Sequence, residues 1–384
     1  MASNVDWSGL LPELVELILD QLTLSEPDRL TRLSNHLHFA CVCSSWQSVA
    51  INNRSDSHLR QLPLLMLPSS DNTKTRHFFS LSSGRNHGFH IPEIHRKWCC
   101  GSSKSWLITV DGSTGGIQLF NPFSRGCIQL PSLSTFTYPQ FSFDPKCPRN
   151  SHYIHKTVLS ANPCRTRDFV VMAIITNWRI LAYYKPGADR WITIKTQWAC
   201  FDDVIHYKGL FYAVSSQGPV VAYDFSSEPP IVTNIIDQPP EQRTCNKYYL
   251  AESLGELLLV LRFLRFFNVN NSNGDKEIRI KTVQFKVYKL DESRRQWVQM
   301  KSIGDRILFL GCSCSMSLST EDFPECNSNS IYFNDDCRRG SCEPPFGYHD
   351  RGIFNFDNGS VVVPFCKSPP IWTTPSFWVT PDPW

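Results

Sequence analysis

The chain has 384 residues, is 41% hydrophobic and carries a formal net charge of +3. Charged residues make up only 19% of it and no run of lysine and arginine stands out, so the composition argues against a disordered chain and against a nucleic-acid-binding surface. The length allows about two or three domains.

The helix over Leu11–Leu22 is predicted by apolar residues that recur at steps of three and four. Pro12 fits the first turn of that helix, where its missing N–H has no consequence. Ser25, three residues before an aspartate, predicts the start of a second short helix. Leu30 and Leu33 then lie on the apolar side of this second helix.

A third helix is predicted from Phe39 to Ala50, because the apolar residues of this segment share one stripe at helical spacing. The stripe contains Phe39, Val42, Cys43, Trp46 and Ala50. A unit of about fifty residues with so wide an apolar stripe is only marginally stable alone, which favours a partner-binding module.

Beyond about residue 60 the sequence predicts short strands separated by turns. A unit of strand, turn, strand and a further strand recurs at intervals of roughly 35–50 residues, which is typical of propeller blades. The clearest examples are Ser105–Pro122, Phe169–Ile194, Asp203–Ile235 and Tyr249–Met300. This recurrence favours a β-propeller of about six blades, while five or seven blades and a β-sandwich stay open as alternatives.

The two ends of the predicted propeller are expected to pair. Leu62–Gly84 would pair with the C-terminal segment Ile371–Val379 and close the ring. The most apolar segment, Leu254–Val269, is interrupted by Glu256, Arg262 and Arg265. These charges predict buried strands rather than a membrane span, and we expect no membrane association. The predicted fold class is therefore mainly β with a small α domain, with three helices over residues 5–52 and the propeller over residues 62–380.

The 15 cysteines are scattered along the chain. The first residues lack the basic stretch and apolar run of a secretory signal. We therefore expect reduced cysteines that pack as small apolar residues, and a location in the nucleus or the cytoplasm.

The helical region resembles an F-box, whose pattern is Leu-Pro, an apolar helix, and then Val-Cys with a Trp shortly after. The rest is similar to plant F-box proteins with a kelch-like β-propeller, the domain of unknown function 295 family, most clearly at Phe120–Leu133. Two features depart from the F-box pattern: Gln47 replaces a frequent basic residue, and His36 and His38 replace arginines. The matching positions are Leu11, Pro12, Leu14, Ile18, Leu22, Leu33, Val42, Cys43 and Trp46.

The resemblance implies a substrate adaptor of a Skp–cullin–F-box ubiquitin ligase. The matching positions would dock on a Skp-type adaptor, and through it on a cullin, while the propeller would hold an unknown target protein. Such a subunit has no catalytic residues, metal or cofactor of its own, and acts by raising the effective concentration of the target near the enzyme. We expect the target to bind the insertions around Asn268–Glu277 and Glu321–His349.

The main alternative to reduced cysteines that pack in the core is that some of them bind a metal. Residues two apart on a helix point in nearly opposite directions, which argues against a site at Cys41 and Cys43. On a strand, Cys312 and Cys314 would face the same side, so a metal is geometrically possible there, but the spacings to the next cysteines, Cys326, Cys337 and Cys342, are irregular.

Two further functions stay open. The propeller could be an enzyme or a small-ligand sensor whose helices are a degenerate cap, although the sequence has no Gly-x-Ser-x-Gly, His-Glu-x-x-His or phosphate-loop pattern. The chain could also be a scaffold that binds partners without leading to their degradation.

Overall fold

The structure is a computed structural model of the full chain. It describes residues 7–26, 29–53, 61–68, 73–136, 154–175, 178–198, 200–239, 245–270, 276–334, 336, 350–362 and 376–381. None of the helices among these residues has the length and apolar character needed to cross a membrane.

The chain starts with three α-helices, which we call the helical unit together with the short 3-10 helix Trp7–Gly9. Leu11 has extended backbone angles and precedes the first helix, and Pro12 is its first residue, as the sequence predicted. The predicted third helix is wrong at its start, because residues 41–43 separate two helices. The helices are α1 (Pro12–Leu24), α2 (Arg29–Ala40) and α3 (Ser44–Asn52).

The remaining elements are short strands. In chain order they are β1 (Leu64–Met66), β2 (Thr75–Ser80), β3 (Arg85–His90), β4 (Lys97–Ser103), β5 (Trp106–Asp111), β6 (Ile117–Phe120), β7 (Cys127–Leu130), β8 (Ile154–Leu159), β9 (Val171–Ile175), β10 (Ile180–Tyr184), β11 (Ile192–Thr193), β12 (Phe201–Tyr207), β13 (Leu210–Ser215), β14 (Val220–Asp224), β15 (Ile231–Ile236), β16 (Lys247–Ser253), β17 (Glu256–Asn270), β18 (Lys276–Asp291), β19 (Gln296–Met300), β20 (Arg306–Leu310), β21 (Met316–Ser319), β22 (Ser330–Phe333), β23 (Gly352–Asn355), β24 (Val361–Val362) and β25 (Phe377–Val379).

These strands form six separate sheets, which confirms a six-bladed β-propeller and excludes the sandwich. Blades 2 to 5 are antiparallel and take their strands in chain order: β4–β7, β8–β11, β12–β15 and β16–β19. Blade 6 has five strands in the order β21-β20-β22-β23-β24, and β20 runs parallel to β22.

Blade 1 closes the ring, as predicted. Its order is β25-β1-β2-β3, so the C-terminal strand pairs with the first strand of the propeller. Leu65 lies opposite Trp378, and both side chains are fully buried. A ring closed by its two ends has no open sheet edge at the junction, which protects the blades from edge-to-edge association.

Buried charges link neighbouring blades. Lys156 on β8 forms an ion pair with Asp203 on β12, and both side chains are buried. The Leu250 amide on β16 donates to the Asp203 carboxylate at 2.9 Å, so one aspartate connects blades 3, 4 and 5. Burial raises the pKa of Asp203 despite the neighbouring lysine charge.

A short segment between β20 and β21 crosses the middle of the ring. The Cys314 amide donates to the Ser102 carbonyl of blade 2 at 3.2 Å, and its thiol lies 3.9 Å from the Thr157 carbonyl oxygen of blade 3. Blade 3 is opposite blade 6 in the ring, so these contacts place the Gly311–Ser315 segment across the centre.

Candidate functional site

The first helix has apolar residues on two sides. Val15 and Leu19 are buried inside the helical unit, whereas Leu14 and Leu17 are 47% and 60% exposed. Successive helical residues are rotated by about 100°, which places the two pairs on different faces. A helix with only one buried face normally has a polar face toward solvent, so the exposed leucines require another explanation.

The exposed apolar residues share the solvent side of α1 with Pro12, Glu13, Glu16 and Gln21, which are also exposed. The acidic residues Glu13, Glu16 and Asp20 are confined to one narrow side between the two apolar faces. We call the exposed large apolar residues on and beside this helix the α1 face. They are Leu11, Leu14, Leu17, Leu22 and Leu24, each more than two-fifths exposed.

The helical unit has a small core of its own. Trp46 is 8% exposed, and its ring centroid lies 4.5 Å from that of Phe39. The Trp46 indole N–H donates to the Trp7 carbonyl at 3.0 Å. The ring therefore joins α3, the end of α2 and the N-terminal 3-10 helix, together with the buried residues Val15, Leu19, Ala40 and Ala50.

The residues between α2 and α3 differ in exposure. Val42 is 54% exposed and Cys41 is also exposed, while Cys43 is half-buried and directly precedes α3 with an extended backbone. The Cys43 thiol lies 3.1 Å from the Ser45 hydroxyl oxygen. Cys43 thus packs as a small apolar residue, as the sequence predicted, but at the start of a helix rather than within one.

Hydrogen bonds connect the segment before α1 to the start of α3. The Ser45 hydroxyl donates to the Ser8 carbonyl at 3.1 Å. The next residue, Trp46, donates to the Trp7 carbonyl. Leu10 packs against the same core. The N-terminal end of α1 and the Val42 link therefore lie at the same end of the helical unit, which extends the α1 face toward Val42.

The nine predicted docking residues divide by exposure. Ile18 and Cys43 are half-buried, whereas Leu33 and Trp46 are buried at 4% and 8% exposure. Leu17 was missed because it lies outside the stripe of three- and four-residue steps used to predict the helix. The exposed residues among the nine are Leu11, Pro12, Leu14, Leu22 and Val42.

The two histidines have different positions. His36 is 1% exposed, and its Nε2 atom lies 2.9 Å from the Ala50 carbonyl oxygen. It therefore connects α2 to α3 inside the unit. His38 and Gln47 are exposed.

The cysteines do not gather at one place in the described structure. Cys99 and Cys100 belong to different core clusters, as expected for neighbours on a strand. The expectation that Cys312 and Cys314 share one side of a strand is wrong, because they lie in the link that crosses the ring and pack into different clusters. Within the described ranges no three His, Cys, Asp or Glu residues are placed to hold a metal; Cys337 and Cys342 fall outside those ranges.

The helical unit packs on blade 1, the blade that closes the ring. Leu30 of α2 is buried in the same cluster as Leu64 of β1 and Phe377 of β25. The side-chain amide of Gln61 donates to the Arg29 carbonyl at 2.6 Å. The helices thus pack directly on the strands that close the propeller.

Arg29 extends this junction to blade 6. Its guanidinium donates to the Asp322 carbonyl at 3.1 Å and lies 3.6 Å from the Glu325 carboxylate. The guanidinium carbon is also 4.9 Å from the centre of the buried Phe323 ring, within cation–π range. The orientation of the α1 face relative to the propeller is therefore set by side-chain contacts.

A second group of functional candidates lies where blades 5 and 6 meet. Arg262 of β17 is fully buried and forms ion pairs of 3.0 Å with both Asp336 and Asp350. Burial disfavours the ionised form of Asp336, but the charges of Lys247 and Arg262 outweigh it and lower its pKa. The Tyr249 hydroxyl donates to the same carboxylate at 2.9 Å.

This network connects the two insertions that the sequence indicated for target binding. Arg262 precedes the Asn268–Glu277 insertion on β17, and Asp336 and Asp350 stand on either side of residues 337–349. Residues 271–275, 335 and 337–349 lie outside the described part of the chain. Arg262, at the base of the hairpin that carries the first insertion, therefore contacts the two residues that border residues 337–349 of the second.

Comparison with known proteins decides the family. A family model described as the KIB1-4 beta-propeller matches residues 78–357, well over half of the chain. The chain belongs to the KIB1-4 beta-propeller family. The match to this family begins in β2 and ends after β23, so it lies within the propeller and does not include the helical unit.

Relatives of this KIB1-4 beta-propeller chain cover both regions. F-box protein SKIP23 of Arabidopsis thaliana is 27% identical to it over 414 aligned residues, which cover 96% of each chain. F-box protein At4g35733 and F-box/kelch-repeat protein At1g57790, also from Arabidopsis thaliana, are 28% and 23% identical and cover 87% and 92% of this chain, and 90% and 88% of their own. These matches confirm the resemblance to plant F-box proteins that carry a propeller.

Among solved structures, U3-55K aligns with 75% of this KIB1-4 beta-propeller chain and 94% of its own length. The two are 10% identical with a TM-score of 0.33, a similarity too low to support a functional comparison.

Proposed function

We propose that this protein is the non-catalytic substrate-recognition subunit of a Skp–cullin–F-box ubiquitin ligase. The α1 face binds a Skp-type adaptor, which connects the chain to a cullin, and the propeller binds a target protein for ubiquitination and degradation. We expect the complex to act in the nucleus or the cytoplasm. The relatives support this proposal through their F-box names, and the exposed leucines support it through their position.

The observation that carries the proposal is the second apolar face of α1. Leu11, Leu14, Leu17 and Leu22 are exposed although the core of the helical unit is already complete without them. Amphipathic helices that lay such a face into a partner groove are a common recognition mode. Full burial of an exposed leucine contributes about 1.5–3 kcal/mol, and because these leucines are already partly covered, a partner would add about half of that per residue before the cost of association.

The buried docking residues have a supporting role in this proposal. Leu33 and Trp46 hold the helices in place, whereas Leu11, Pro12, Leu14, Leu22 and Val42 contact the adaptor, with Ile18 and Cys43 at the margin. A substitution of Trp46 would then remove binding by unfolding the unit, and a substitution on the α1 face would remove it without unfolding.

The test is a binding measurement with purified proteins. The double variant Leu14→Asp, Leu17→Asp should bind a Skp-type adaptor at least about tenfold more weakly, because it places two charges in an apolar contact. Leu254→Asp is the matched control: Leu254 is a leucine with 73% exposure on a propeller turn, and its φ of 53° is a conformation that aspartate tolerates.

The outcomes separate the parts of the proposal. Full binding by the double variant would overturn the assignment of the α1 face. No binding by the unaltered chain to any Skp-type adaptor would overturn the functional class. Unchanged turnover of bound proteins in cells that carry the double variant would favour the scaffold over the ligase subunit.

A further inference from the structure

Part of blade 5 extends beyond its sheet as a hairpin. The strand β17 pairs with β16 only as far as Arg262, and β18 pairs with β19 only from Val287 onward. Between these limits, β17 and β18 pair only with each other, from Phe263 opposite Gln284 to Asn270 opposite Lys276. We call this two-stranded extension, residues 263–270 and 276–286, the hairpin arm.

The two faces of the hairpin arm differ in exposure. Residues directly opposite each other in an antiparallel pair lie on the same face. On one face Leu264 and Ile280 are half-buried and Thr282 is buried, although Phe266, opposite Ile280 on the same face, is 47% exposed. The other face, which we call the outer face, carries Arg265, Phe267 and Lys281, and the extra residue of a bulge, Val283, follows Lys281 by two positions; all four are exposed.

The outer face combines positive charge with apolar surface. Arg265 lies directly opposite Lys281, a like-charge pair that weakens a hairpin when nothing neutralises it. No acidic side chain pairs with either of them among the described residues. Over the whole arm, residues 263–270 and 276–286, the sequence has five basic residues and one acidic residue, Glu277 near the tip. Phe267 and Val283 are 40% and 42% exposed beside these charges.

The base of the hairpin arm is held by the buried network at Arg262. The Arg262 Nε–H donates to the Thr282 hydroxyl at 2.8 Å, and the Thr282 amide donates to the Asp350 carboxylate at 2.8 Å. The Leu264 amide donates to the Asn246 side-chain oxygen at 2.6 Å. A two-stranded hairpin is marginally stable by itself, and this anchor allows the arm to project from the blade as a defined surface.

We propose that the outer face of the hairpin arm binds an acidic segment of the target protein. Aspartate or glutamate side chains of that segment pair with Arg265 and Lys281 and relieve their mutual repulsion, and its apolar side chains pack on Phe267 and Val283. This inference rests on the proposed function, since it assigns the target-binding surface of the propeller. Only a few exposed cations line this face, which suits a short acidic peptide better than a polyphosphate backbone.

The test uses a photo-crosslinking amino acid at position 267 of the full chain. The purified protein, together with a Skp-type adaptor, is irradiated in an extract of plant cells with the proteasome blocked, and the crosslinked peptides are identified by mass spectrometry. Crosslinks should map to a segment that contains both acidic and apolar residues. The same amino acid at Val298, which is 50% exposed on β19 of the same blade, is the control position.

Charge reversal decides whether the segment is recognised by its acidity. In the variant Arg265→Glu, Lys281→Glu the yield of this crosslink should fall about tenfold, because two ion pairs become two repulsions. Lys301→Glu makes the same kind of charge change at an exposed position just after β19 and should leave the yield unchanged. Changing the acidic residues of the crosslinked segment to lysine should restore the yield with the reversed arm.

Each other outcome overturns the proposal. These are the absence of a crosslink, a crosslink to a segment without acidic residues, a crosslink to nucleic acid, and a yield that the charge reversal does not change. The adaptor recovered in the same samples reports separately on the α1 face. Loss of the adaptor with an intact, charge-dependent crosslink would contradict the ligase function and leave the acidic-segment site in place.

Discussion

The helical unit and the propeller differ in which side chains they bury. Seven of the eighteen large apolar residues exposed in the described chain belong to the short helical unit. The propeller instead buries charged residues, including Lys156, Asp203 and Arg262 at 4%, 1% and 0% exposure. The helical unit has more apolar surface than its core can use, whereas the propeller uses ion pairs to join blades that are already well packed.

This difference indicates two kinds of stability. Covering exposed apolar area by a partner is favourable, so we expect association to stabilise the helical unit. Buried ion pairs add little net stability compared with apolar residues, but they impose a high cost if one partner is removed. The comparison therefore predicts that substitutions on the exposed face of the helical unit reduce partner binding, whereas substitutions of buried charges in the propeller reduce stability.

The largest expected effect is that of Trp46→Ala. The ring packs on Phe39 and binds the Trp7 carbonyl, and loss of a buried tryptophan costs about 3–5 kcal/mol, as much as so small a unit can have. Amides of α1, α2 and α3 should lose protection in hydrogen exchange, and adaptor binding should disappear. Strands of blades 2 to 5 should keep their protection.

Leu14→Asp is the control for this experiment. It should weaken adaptor binding and leave the protection of the three helices unchanged, because Leu14 lies outside the core. If Trp46→Ala also exposed the blades, the helical unit and the propeller would be one cooperative unit, and the contrast between them would be wrong.

Arg262→Met should have the next largest effect, in the propeller. It leaves the carboxylates of Asp336 and Asp350 buried without their partner, which costs about 3–5 kcal/mol. Urea unfolding followed by tryptophan fluorescence measures this loss. Arg265→Met, on the same strand but exposed, should change the stability by less than about 0.5 kcal/mol. Equal effects of the two substitutions would show that the buried network contributes nothing.

Arg29→Ala should have the smallest effect and acts at the boundary between the two regions. It removes a hydrogen bond to the Asp322 carbonyl and a cation–π contact with Phe323, each worth about 1 kcal/mol or less at a partly exposed site. Hydrogen exchange in α2 should become several-fold faster while adaptor affinity stays the same.

Arg32→Ala is the matched control for the boundary. Arg32 donates to the Glu26 carbonyl within the helical unit, and no hydrogen bond or ion pair joins it to the described part of the propeller, so exchange near Phe323 should not change. A loss of adaptor affinity in Arg29→Ala would mean that the junction shapes the α1 face as well as orienting it.

The sequence predicted most of the propeller because strand periodicity and turn residues are local signals. The hairpins within Ser105–Pro122 and Asp203–Ile235, and the pairing of Leu62–Gly84 with the C-terminal segment, were expected and are present. The break between α2 and α3 was not predicted, because the apolar stripe from Phe39 to Ala50 is compatible with one helix. The parallel pairing of β20 with β22 in blade 6 also has no local sequence signal.

The sequence by itself determined the two regions, the blade pattern and three of the five leucines of the α1 face, since all of these depend on residue spacing. Tertiary structure decided which apolar residues of α1 are exposed: Leu14 and Val15 are equally apolar neighbours, and only packing of α1 on α2 and α3 separates them. It also decided that Arg262, Asp336 and Asp350 meet. Such long-range contacts have no periodicity, because they form only when distant blades close into a ring.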